Sequence, residues 1–280
     1  MPLTTDLQRI RAALDRDRTW SAYAIGDLDP ERLPDCSWYA PAANPETLVL
    51  LYRGFMPPIL FATGDPALLS PVFAELDAPT VSLHVLPEAV DALPPAYRAT
   101  DTRPMWRMTV SAASFRPAAA DDDVASLDLS HAEAVAALFA DAREGGEEPP
   151  FYKPSMLAEG SFRGIWEGAD LVAVAGAHLF SPALGVCTIG NVYTRRDRRR
   201  RGRAARATSA VVRHALAASI PTIVLNVSQA NDAARRVYEQ LGFRVHCAFV
   251  EGEAALAQRR SSGPIAPPVL SSPPPWSSGP

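Results

Sequence analysis

The sequence predicts a fold of the α+β or α/β class, because strand-like and helix-like segments alternate along most of the chain. The clearest alternation lies in the C-terminal half, where a predicted strand over residues 187–194 leads into an arginine-rich loop. A predicted helix then runs to about Ser219, Pro221 ends it, and a strand follows over 222–227. Asn231 opens a second helix, since its short side chain is suited to capping one.

The chain divides into three predicted parts. Its 280 residues allow one or two domains of ordinary size. Residues 1–110 predict a smaller α/β domain, with helices at 6–17 and 66–76 and strands at 47–52, 59–63, 81–86 and 105–110. Residues 114–256 predict a second domain whose first strand is placed at 115–117. Residues 257–280, rich in Ser and Pro, predict a disordered tail.

Composition restricts the functional classes. A hydrophobic content of 48% is enough for a packed core, and a net charge of −4 argues against nucleic-acid binding by bulk electrostatics. Lys153 is the single lysine, so Schiff-base chemistry has one candidate. Three cysteines without a C-x-x-C pattern fit a reduced, cytoplasmic protein better than a disulfide framework. The first ten residues lack the apolar core of a signal peptide, and no apolar run is long enough for a membrane span.

The junction between the predicted strand 187–194 and the helix after it has the features of an anion site. Helix N-termini carry unpaired N–H groups and partial positive charge, so they bind phosphates. Gly202 and Ala204 are small and would let a phosphate approach the backbone. The loop contains neither a G-x-x-x-x-G-K-[ST] nucleotide motif nor a G-x-G-x-x-G dinucleotide motif. We therefore predict a pyrophosphate cradle of another kind.

Two motifs in this region resemble the GNAT family of N-acetyltransferases. The loop pattern of that family, Gln/Arg-x-x-Gly-x-Gly/Ala, is similar to Arg199-Arg200-Arg201-Gly202-Arg203-Ala204. The family's second pattern has Asn, then Ala three residues later, Tyr at seven, and Gly-Phe beyond; it is matched by Asn231, Ala234, Tyr238 and Gly242-Phe243. The resemblance covers roughly residues 114–256 and is most specific in the Asn-to-Phe segment.

The resemblance implies a GNAT fold for the C-terminal half, with a mixed, mostly antiparallel sheet whose central strands splay apart. Residues 1–110 would then be a smaller α/β domain, and the two-domain members of the family suggest that it is a degenerate copy of the fold. The implied activity moves an acetyl group from acetyl-CoA to a primary amine by direct transfer in a ternary complex. No metal is implied.

The resemblance also assigns roles to individual residues. The backbone of Val192, Tyr193 and Thr194 would hold the pantetheine arm, and Asn231 would cap its helix or bind the pantetheine amide. Tyr238 would protonate the leaving thiolate, although the alternative is that it simply fills the core. The pyrophosphate would be held by Arg199, Arg200, Arg201, Gly202, Arg203, Ala204 and Ala205.

The catalytic base is the main departure from the family pattern. Some members carry a glutamate five residues before the Asn, where this chain has Asn226, which cannot act as a base. The candidates from sequence are His178, a carboxylate of the 144–148 loop, or a water relay. If His178 is the base, an acid limb near the ordinary histidine pKa of ~6.5 is expected in the pH–rate profile.

An alternative function stays open at this point. The loop has more arginines than the family pattern needs, and they could serve the 3′-phosphate of CoA, an anionic partner or solubility. The chain could therefore be a non-catalytic module that binds CoA or nucleic acid through this loop, although its overall charge makes nucleic acid a poor partner. The expected acceptor is a small-molecule or protein amine, with no membrane partner. The sequence also leaves open whether the protein forms a homodimer.

Overall fold

The computed structural model describes residues 3–41, 44, 46–118, 123–147 and 152–257. Within them, eleven strands form one sheet. The strands are β1 (Cys36–Tyr39), β2 (Leu48–Tyr52), β3 (Ile59–Thr63), β4 (Thr80–Val85), β5 (Tyr97–Val110), β6 (Val124–Ser126), β7 (Arg163–Glu167), β8 (Asp170–Ser181), β9 (Val186–Thr194), β10 (Thr222–Ser228) and β11 (Arg244–Leu256). The predicted tail at 258–280 lies outside the described residues.

Seven α-helices cover the two faces of the sheet in the described part of the chain. They are α1 (Leu7–Asp15), α2 (Ala22–Gly26), α3 (Leu69–Phe73), α4 (Pro87–Asp91), α5 (Ala132–Glu144), α6 (Arg203–Ala217) and α7 (Asp232–Gln240). A 3-10 helix also lies at Pro154–Glu159. Two of the caps show why helices begin where they do: the Asp6 carboxylate accepts from the N–H groups of Gln8 and Arg9, and the Asn231 side chain accepts from that of Ala234.

The order of strands in the sheet is β1-β2-β3-β4-β11-β5-β10-β9-β8-β7-β6. Eight of the ten neighbouring pairs are antiparallel, and only β3–β4 and β9–β10 are parallel. The prediction of a mixed, mostly antiparallel sheet is confirmed. If β6 is left out, strands at equal distances from the centre of the sheet are counterparts in the two halves of the chain: β1 with β7, β2 with β8, β3 with β9, β4 with β10 and β5 with β11. We call this strand order palindromic.

The centre of the sheet is made by an exchange of strands between the two halves of the chain. Strand β11 is inserted between β4 and β5, and β5 is inserted between β11 and β10. The β5–β11 ladder extends from Arg244 paired with Thr109 to Leu256 paired with Tyr97. The predicted boundary near residues 110–114 therefore separates two stretches of chain that share one sheet, and the division into domains stays a prediction.

Alternate residues of the central strands enter different cores. Ile223 and Leu225 of β10 pack beneath α6 and α7, whereas Val224 packs beneath α1 and α2. Asn226 follows the same alternation and lies on the side of Val224. We call this side of the sheet the α2 face. His84 belongs to it as well, since its ring lies against Phe249 of the α1–α2 core.

The joint between the halves differs from the prediction. Residues 115–118 form no strand, so the strand expected at 115–117 is wrong; the first strand after the joint is β6. The joint is instead fixed by the turn after α7, because the Arg116 N–H donates to the Leu241 carbonyl at 3.0 Å. Gly242 has a φ of +90°, and a Cβ there would lie 1.9 Å from the Ser114 carbonyl oxygen.

We expect Gly242→Ala to destabilise the protein by roughly 3–4 kcal/mol, since it combines a strained backbone with a clash against another backbone. Gly168→Ala is the matched control, because Gly168 has a φ of +62° but open space where a Cβ would lie. That control should cost about 1 kcal/mol. Urea denaturation of both variants measures the difference, and equal losses would contradict the close approach of the joint.

Candidate active site

A cleft opens in the sheet between β9 and β10. The two strands pair in parallel from Val186–Thr222 to Ile189–Leu225, and the pairing stops there. Both strands continue, β9 to Thr194 and β10 to Ser228, without pairing to each other. The backbone groups of residues 190–194 on this side are therefore available to an extended ligand that lies along them like another strand. We call this the β9–β10 cleft.

A β-bulge shapes the β9 side of the cleft. Gly190 pairs with Gly176 and Tyr193 with Val174, so two residues of β9 stand opposite one residue of β8. Asn191, the first of the two, has a φ of +52°, a conformation that asparagine tolerates better than most residues. The bulge changes the direction of the backbone at the point where pairing with β10 has just ended.

The loop after β9 has a backbone geometry that is suited to an anion. Arg200 and Gly202 both have positive φ, of +62° and +70°, and α6 begins at Arg203 with no side chain capping it. The first helical bond is donated by the Arg206 N–H to the Gly202 carbonyl at 3.0 Å, which leaves earlier N–H groups free for an anion. A Cβ added at Gly202 would meet nothing within 4 Å, so the space above the helix start is open. The predicted cradle residues thus lie together.

Most of the loop arginines are held by carboxylates of the chain itself. Arg199 donates to Glu147 at 2.7 Å, and Arg203, which is 8% exposed, pairs with Glu167. The other ion pairs join Arg195 to Asp170 and Asp197, Arg196 to Asp141, Arg198 to Glu167 and Asp197, and Arg206 to Asp123. These pairs account for much of the arginine surplus noted in the sequence. Arg200 and Arg201, at the tip of the loop, form no ion pair with a described residue.

The predicted pantetheine-binding residues form the unpaired edge of β9. The Tyr193 hydroxyl donates to Asp141 of α5 at 2.8 Å, so this side chain is committed to the core and only its backbone can serve a ligand. Val192 packs partly against the core beneath α6. Thr194 is 9% exposed, and its backbone carbonyl accepts from Arg199 at 3.1 Å.

Five of the buried polar atoms that lack a hydrogen-bond partner in the described chain lie around the cleft. On β9 they are Thr188 Oγ1, Asn191 Oδ1 and Thr194 Oγ1; beside it are His178 Nε2 of β8 and Asn226 Oδ1 of β10. Thr188 and Asn191 are both fully buried. Leaving such groups unpaired costs about 1–3 kcal/mol each, so their grouping along one cleft makes it suited to a polar ligand.

His178 lies at the inner end of the cleft on the α2 face. It is the extra residue of a second bulge, and a Cβ on Gly190 would come within 2.3 Å of its ring. Its Nδ1 is 2.9 Å from the Tyr23 hydroxyl of α2. Burial lowers the pKa of His178 to about 4, which is well below the value of ~6.5 that the sequence led us to expect. The imidazole is therefore neutral at neutral pH but is a weak base.

Tyr238 lies on the other face of the sheet from His178. It is in the core beneath α6 and α7, is 7% exposed, and packs edge-on against Phe243. Burial raises its pKa to about 12, so the phenol stays protonated over the physiological range. Its hydroxyl makes no hydrogen bond to any residue that the structure describes. Asn231, at the other end of α7, caps the helix through the N–H of Ala234 at 3.0 Å.

Of the carboxylates predicted in the 144–148 loop, that of Glu147 is already engaged in an ion pair. Glu144 ends α5, and Glu147 is bound by Arg199, which holds the pKa of that carboxyl below its usual range. Glu148 lies outside the described residues.

A buried carboxylate that was not predicted from the sequence, Glu251 of β11, lies next to the cleft. Its side chain is 16% exposed, and Oε1 accepts from Asn226 Nδ2 at 3.5 Å. Burial raises the pKa of Glu251, while Arg103, Arg107 and the Asn226 hydrogen bond oppose the rise. Only the order of strands in the sheet identifies Glu251 as a candidate site residue, because β11 reaches this position by pairing with β5 and β4.

The described residues provide neither a metal site nor a membrane-spanning helix. No group of three or more His, Cys, Asp or Glu side chains among them could hold a metal ion. The helices in the described ranges include none with the length and apolar character needed to cross a bilayer.

Comparisons with known proteins agree with this architecture. Residues 132–243 match the model of the acetyltransferase (GNAT) family. A GNAT-family protein of Novosphingobium aromaticivorans is 25% identical, with a TM-score of 0.51 over 70% of this chain and 84% of that one. None of the curated proteins matches the sequence significantly.

Two more distant structures show the same fold over more of the chain. An N-acetyltransferase of Kribbella flavida is 18% identical and has a TM-score of 0.56 over 84% of this chain and 94% of its own. A GNAT-family acetyltransferase of Colwellia psychrerythraea is 13% identical, with a TM-score of 0.52 over 86% and 96%. With the cleft and the geometry of the loop after β9 in agreement, residues 132–243 match an acetyltransferase domain of the GNAT family.

Proposed function

We propose that the protein transfers an acetyl group from acetyl-CoA to a primary amine in a ternary complex. The observation that carries the proposal is the row of unpartnered polar atoms along the β9–β10 cleft, which ends at an uncapped helix start. A CoA thioester has the matching features, namely an amide-containing arm that can pair with a strand edge and a pyrophosphate that suits a helix N-terminus.

The binding roles follow from position. The pantetheine arm would lie along Val192, Tyr193 and Thr194, where β9 has no neighbour on that side. The pyrophosphate would lie over Gly202, Arg203, Ala204 and Ala205, with Arg200 and Arg201 as the cations not already paired in the described chain. Arg199 and Arg203 would act indirectly, because their ion pairs with Glu147 and Glu167 hold the loop in shape.

The chemical roles need one acid and one base. Nucleophilic attack by the amine forms the C–N bond and breaks the C–S bond, and the thiolate must then receive a proton. Tyr238 can donate it, since its hydroxyl is protonated and has no acceptor among the described residues. His178 is near the inner end of the cleft but is a weak base, so its proposed part is to line the site beside Gly190.

The non-catalytic alternative has less support. A nucleic-acid site would need many free cations, whereas the ion pairs described above neutralise most of the loop arginines. Binding of the acetyl donor needs only the helix start and the two arginines at the tip.

We also infer that residues 1–110 are a degenerate copy of the acetyltransferase fold. The palindromic strand order supports this, because the parallel pair β3–β4 stands where β9–β10 stands in the second half. The connection after β3 is a 3-10 turn with the five-residue helix α3, in place of the arginine loop and the 15-residue helix α6. This half would therefore serve as a structural partner and not as a second donor site.

We expect acetyl-CoA at 100 times its dissociation constant to stabilise the protein by about 2.7 kcal/mol. Gly202→Val should abolish the gain, because a branched side chain strains a left-handed residue and fills the space for the phosphate. The double variant Arg200→Ala/Arg201→Ala should weaken binding as well. Thermal melting with and without ligand measures both effects.

Arg236→Ala is the matched control for these variants, since Arg236 is an exposed arginine on α7 and not part of the loop. It should leave the ligand-induced shift unchanged. A wild-type protein whose melting temperature does not respond to acetyl-CoA or CoA would refute the binding assignment.

We expect Tyr238→Phe to lower turnover by roughly 10²–10⁴-fold, the usual contribution of a general acid. The ring stays in its core position and the hydroxyl has no described partner, so stability and the acetyl-CoA shift should both be preserved. Steady-state kinetics and melting curves on the same preparation separate the two properties. Unchanged turnover, with chemistry shown to be rate-limiting, would assign Tyr238 to core packing alone.

A further inference from the structure

We propose that Glu251 is the base of the reaction and that the acceptor is a protonated alkyl amine, which enters through the cavity above this carboxylate. The inference rests on the proposed acetyl transfer and adds to it the residue that receives the proton and the chemical class of the acceptor. Four observations support it: a cavity, a contact with the cleft, the charges around the cavity, and the unsuitability of the other candidates.

A cavity of about 340 Å³ lies at the centre of the sheet, where strands from both halves of the chain meet. Its volume falls at the lower end of the range for small-molecule sites. Strands β4, β5 and β11 supply the lining residues, which are Ser82, His84, Asp101, Arg103, Glu251, Gly252 and Glu253. The strand exchange thus brings a strand of the acetyltransferase half into contact with the N-terminal half around one opening.

Glu251 connects this cavity to the β9–β10 cleft. Asn226 is the first residue of β10 beyond the pairing with β9, so it forms the inner end of the cleft on that side. Its Nδ2 donates to Glu251 Oε1 at 3.5 Å, while its Oδ1 is buried and unpartnered. One side chain therefore separates the carboxylate from the place where an acyl group bound in the cleft would end.

The charges around the cavity suit a cation. Three carboxylates line it, those of Asp101, Glu251 and Glu253, against one guanidinium, that of Arg103. Burial lowers the pKa of His84 to about 4, so this imidazole adds no positive charge at neutral pH. An ammonium group would be attracted to such an opening, whereas a carboxylate or phosphate would be repelled.

The groups that face Glu251 come from every strand and helix packed around it. His84 of β4 has its Nδ1 3.9 Å away, and an Arg103 nitrogen of β5 is at 3.8 Å. Arg107, buried in β5, lowers the pKa of Glu251, as does Asn226 of β10, but burial has the largest effect and raises it. Tyr23 of α2 stays neutral because burial raises its own pKa to about 12. The carboxylate is thus a stronger base than an ordinary glutamate.

The other candidates fit the role less well. His178 is occupied at Nδ1 by Tyr23, its Nε2 is buried, and its low pKa makes it a poor proton acceptor. Glu147 is bound by Arg199 on the side of the pyrophosphate loop. Glu251 is both next to the cleft and open to a cavity.

The proton balance is complete without another reactant. The ammonium gives one proton to the Glu251 carboxylate, and the free amine attacks the thioester carbonyl to form the C–N bond. As the C–S bond breaks, Tyr238 donates a proton to the thiolate, and the second proton of the attacking nitrogen is relayed by solvent to the Tyr238 phenolate, which restores the phenol. Release of the proton from Glu251 to solvent through the cavity completes the cycle.

The test compares Glu251→Gln, Glu251→Asp and His178→Gln in the full chain, with 1,5-diaminopentane, spermidine, tryptamine and lysine as acceptors. Glu251→Gln should keep the acetyl-CoA melting shift and lose roughly 10²–10⁴-fold in kcat. Its pH–rate profile should lose the acid limb set by Glu251 in the wild type and should instead rise with pH up to the pKa of the acceptor amine, because activity then follows the free-amine fraction of the acceptor. Glu251→Asp should restore part of the rate with the limb present.

Two comparisons distinguish a base from a structural residue. Glu253→Gln removes one negative charge from the same cavity, as Glu251→Gln does. It should raise KM for the cationic acceptors and leave kcat nearly unchanged. His178→Gln should retain the acid limb. Glu239→Gln, on exposed α7, is the control for loss of a carboxylate and should have wild-type kinetics.

The outcomes separate this inference from the proposed function. If Glu251→Gln binds acetyl-CoA and retains rate and acid limb, or if His178→Gln loses that limb instead, Glu251 is not the base, although acetyl transfer stands. If the wild type binds acetyl-CoA but acetylates none of these amines, the acceptor class is wrong. If it neither binds acetyl-CoA nor acetylates any amine, the proposed function fails, and this inference with it.

Discussion

The structure depends on the antiparallel ladder between β5 and β11 at the centre of the sheet. Each of these strands is supplied by one half of the chain and pairs with the other half, so neither half can complete its sheet alone. Buried backbone groups must find partners, which makes an exchanged central strand costly to remove. The same ladder carries Arg103, Arg107 and Glu251, so the strands that join the two halves also carry the side chains around the proposed base.

The cleft, in contrast, exists because two neighbouring strands stop pairing with each other. Two parallel strands, β9 and β10, share a short register and then separate, while their outer neighbours continue to hold them. The sheet can tolerate this gap because α6 and α7 cover one face of it and α2 covers part of the other. The cost is visible in the unpartnered side chains beside the gap, which a ligand with alternating donors and acceptors would satisfy.

Much of the second half could be predicted from sequence because its signals are local. Asn231 caps α7, Gly202 precedes α6, and the arginine loop begins where β9 ends, each by short-range chemistry. The palindromic sheet could not be predicted, since strand exchange depends on pairings between residues more than a hundred positions apart. Glu251 was missed for that reason: nothing in its local sequence marks it as a site residue, and only pairing with β4 and β5 places it beside Asn226.

The distribution of charge connects the two ends of the proposed reaction path. At the loop, carboxylates from α5, β7 and β8 neutralise most arginines, so free positive charge is confined to the tip and the helix start, where a pyrophosphate would bind. At the centre of the sheet the balance is reversed, and carboxylates outnumber cations around the cavity. An anionic donor and a cationic acceptor would each be attracted to a different opening, and the β9–β10 cleft lies between them. Two stretches of chain joined by exchanged strands can provide this separation, because one opening lies within the C-terminal stretch and the other is formed where the two stretches meet.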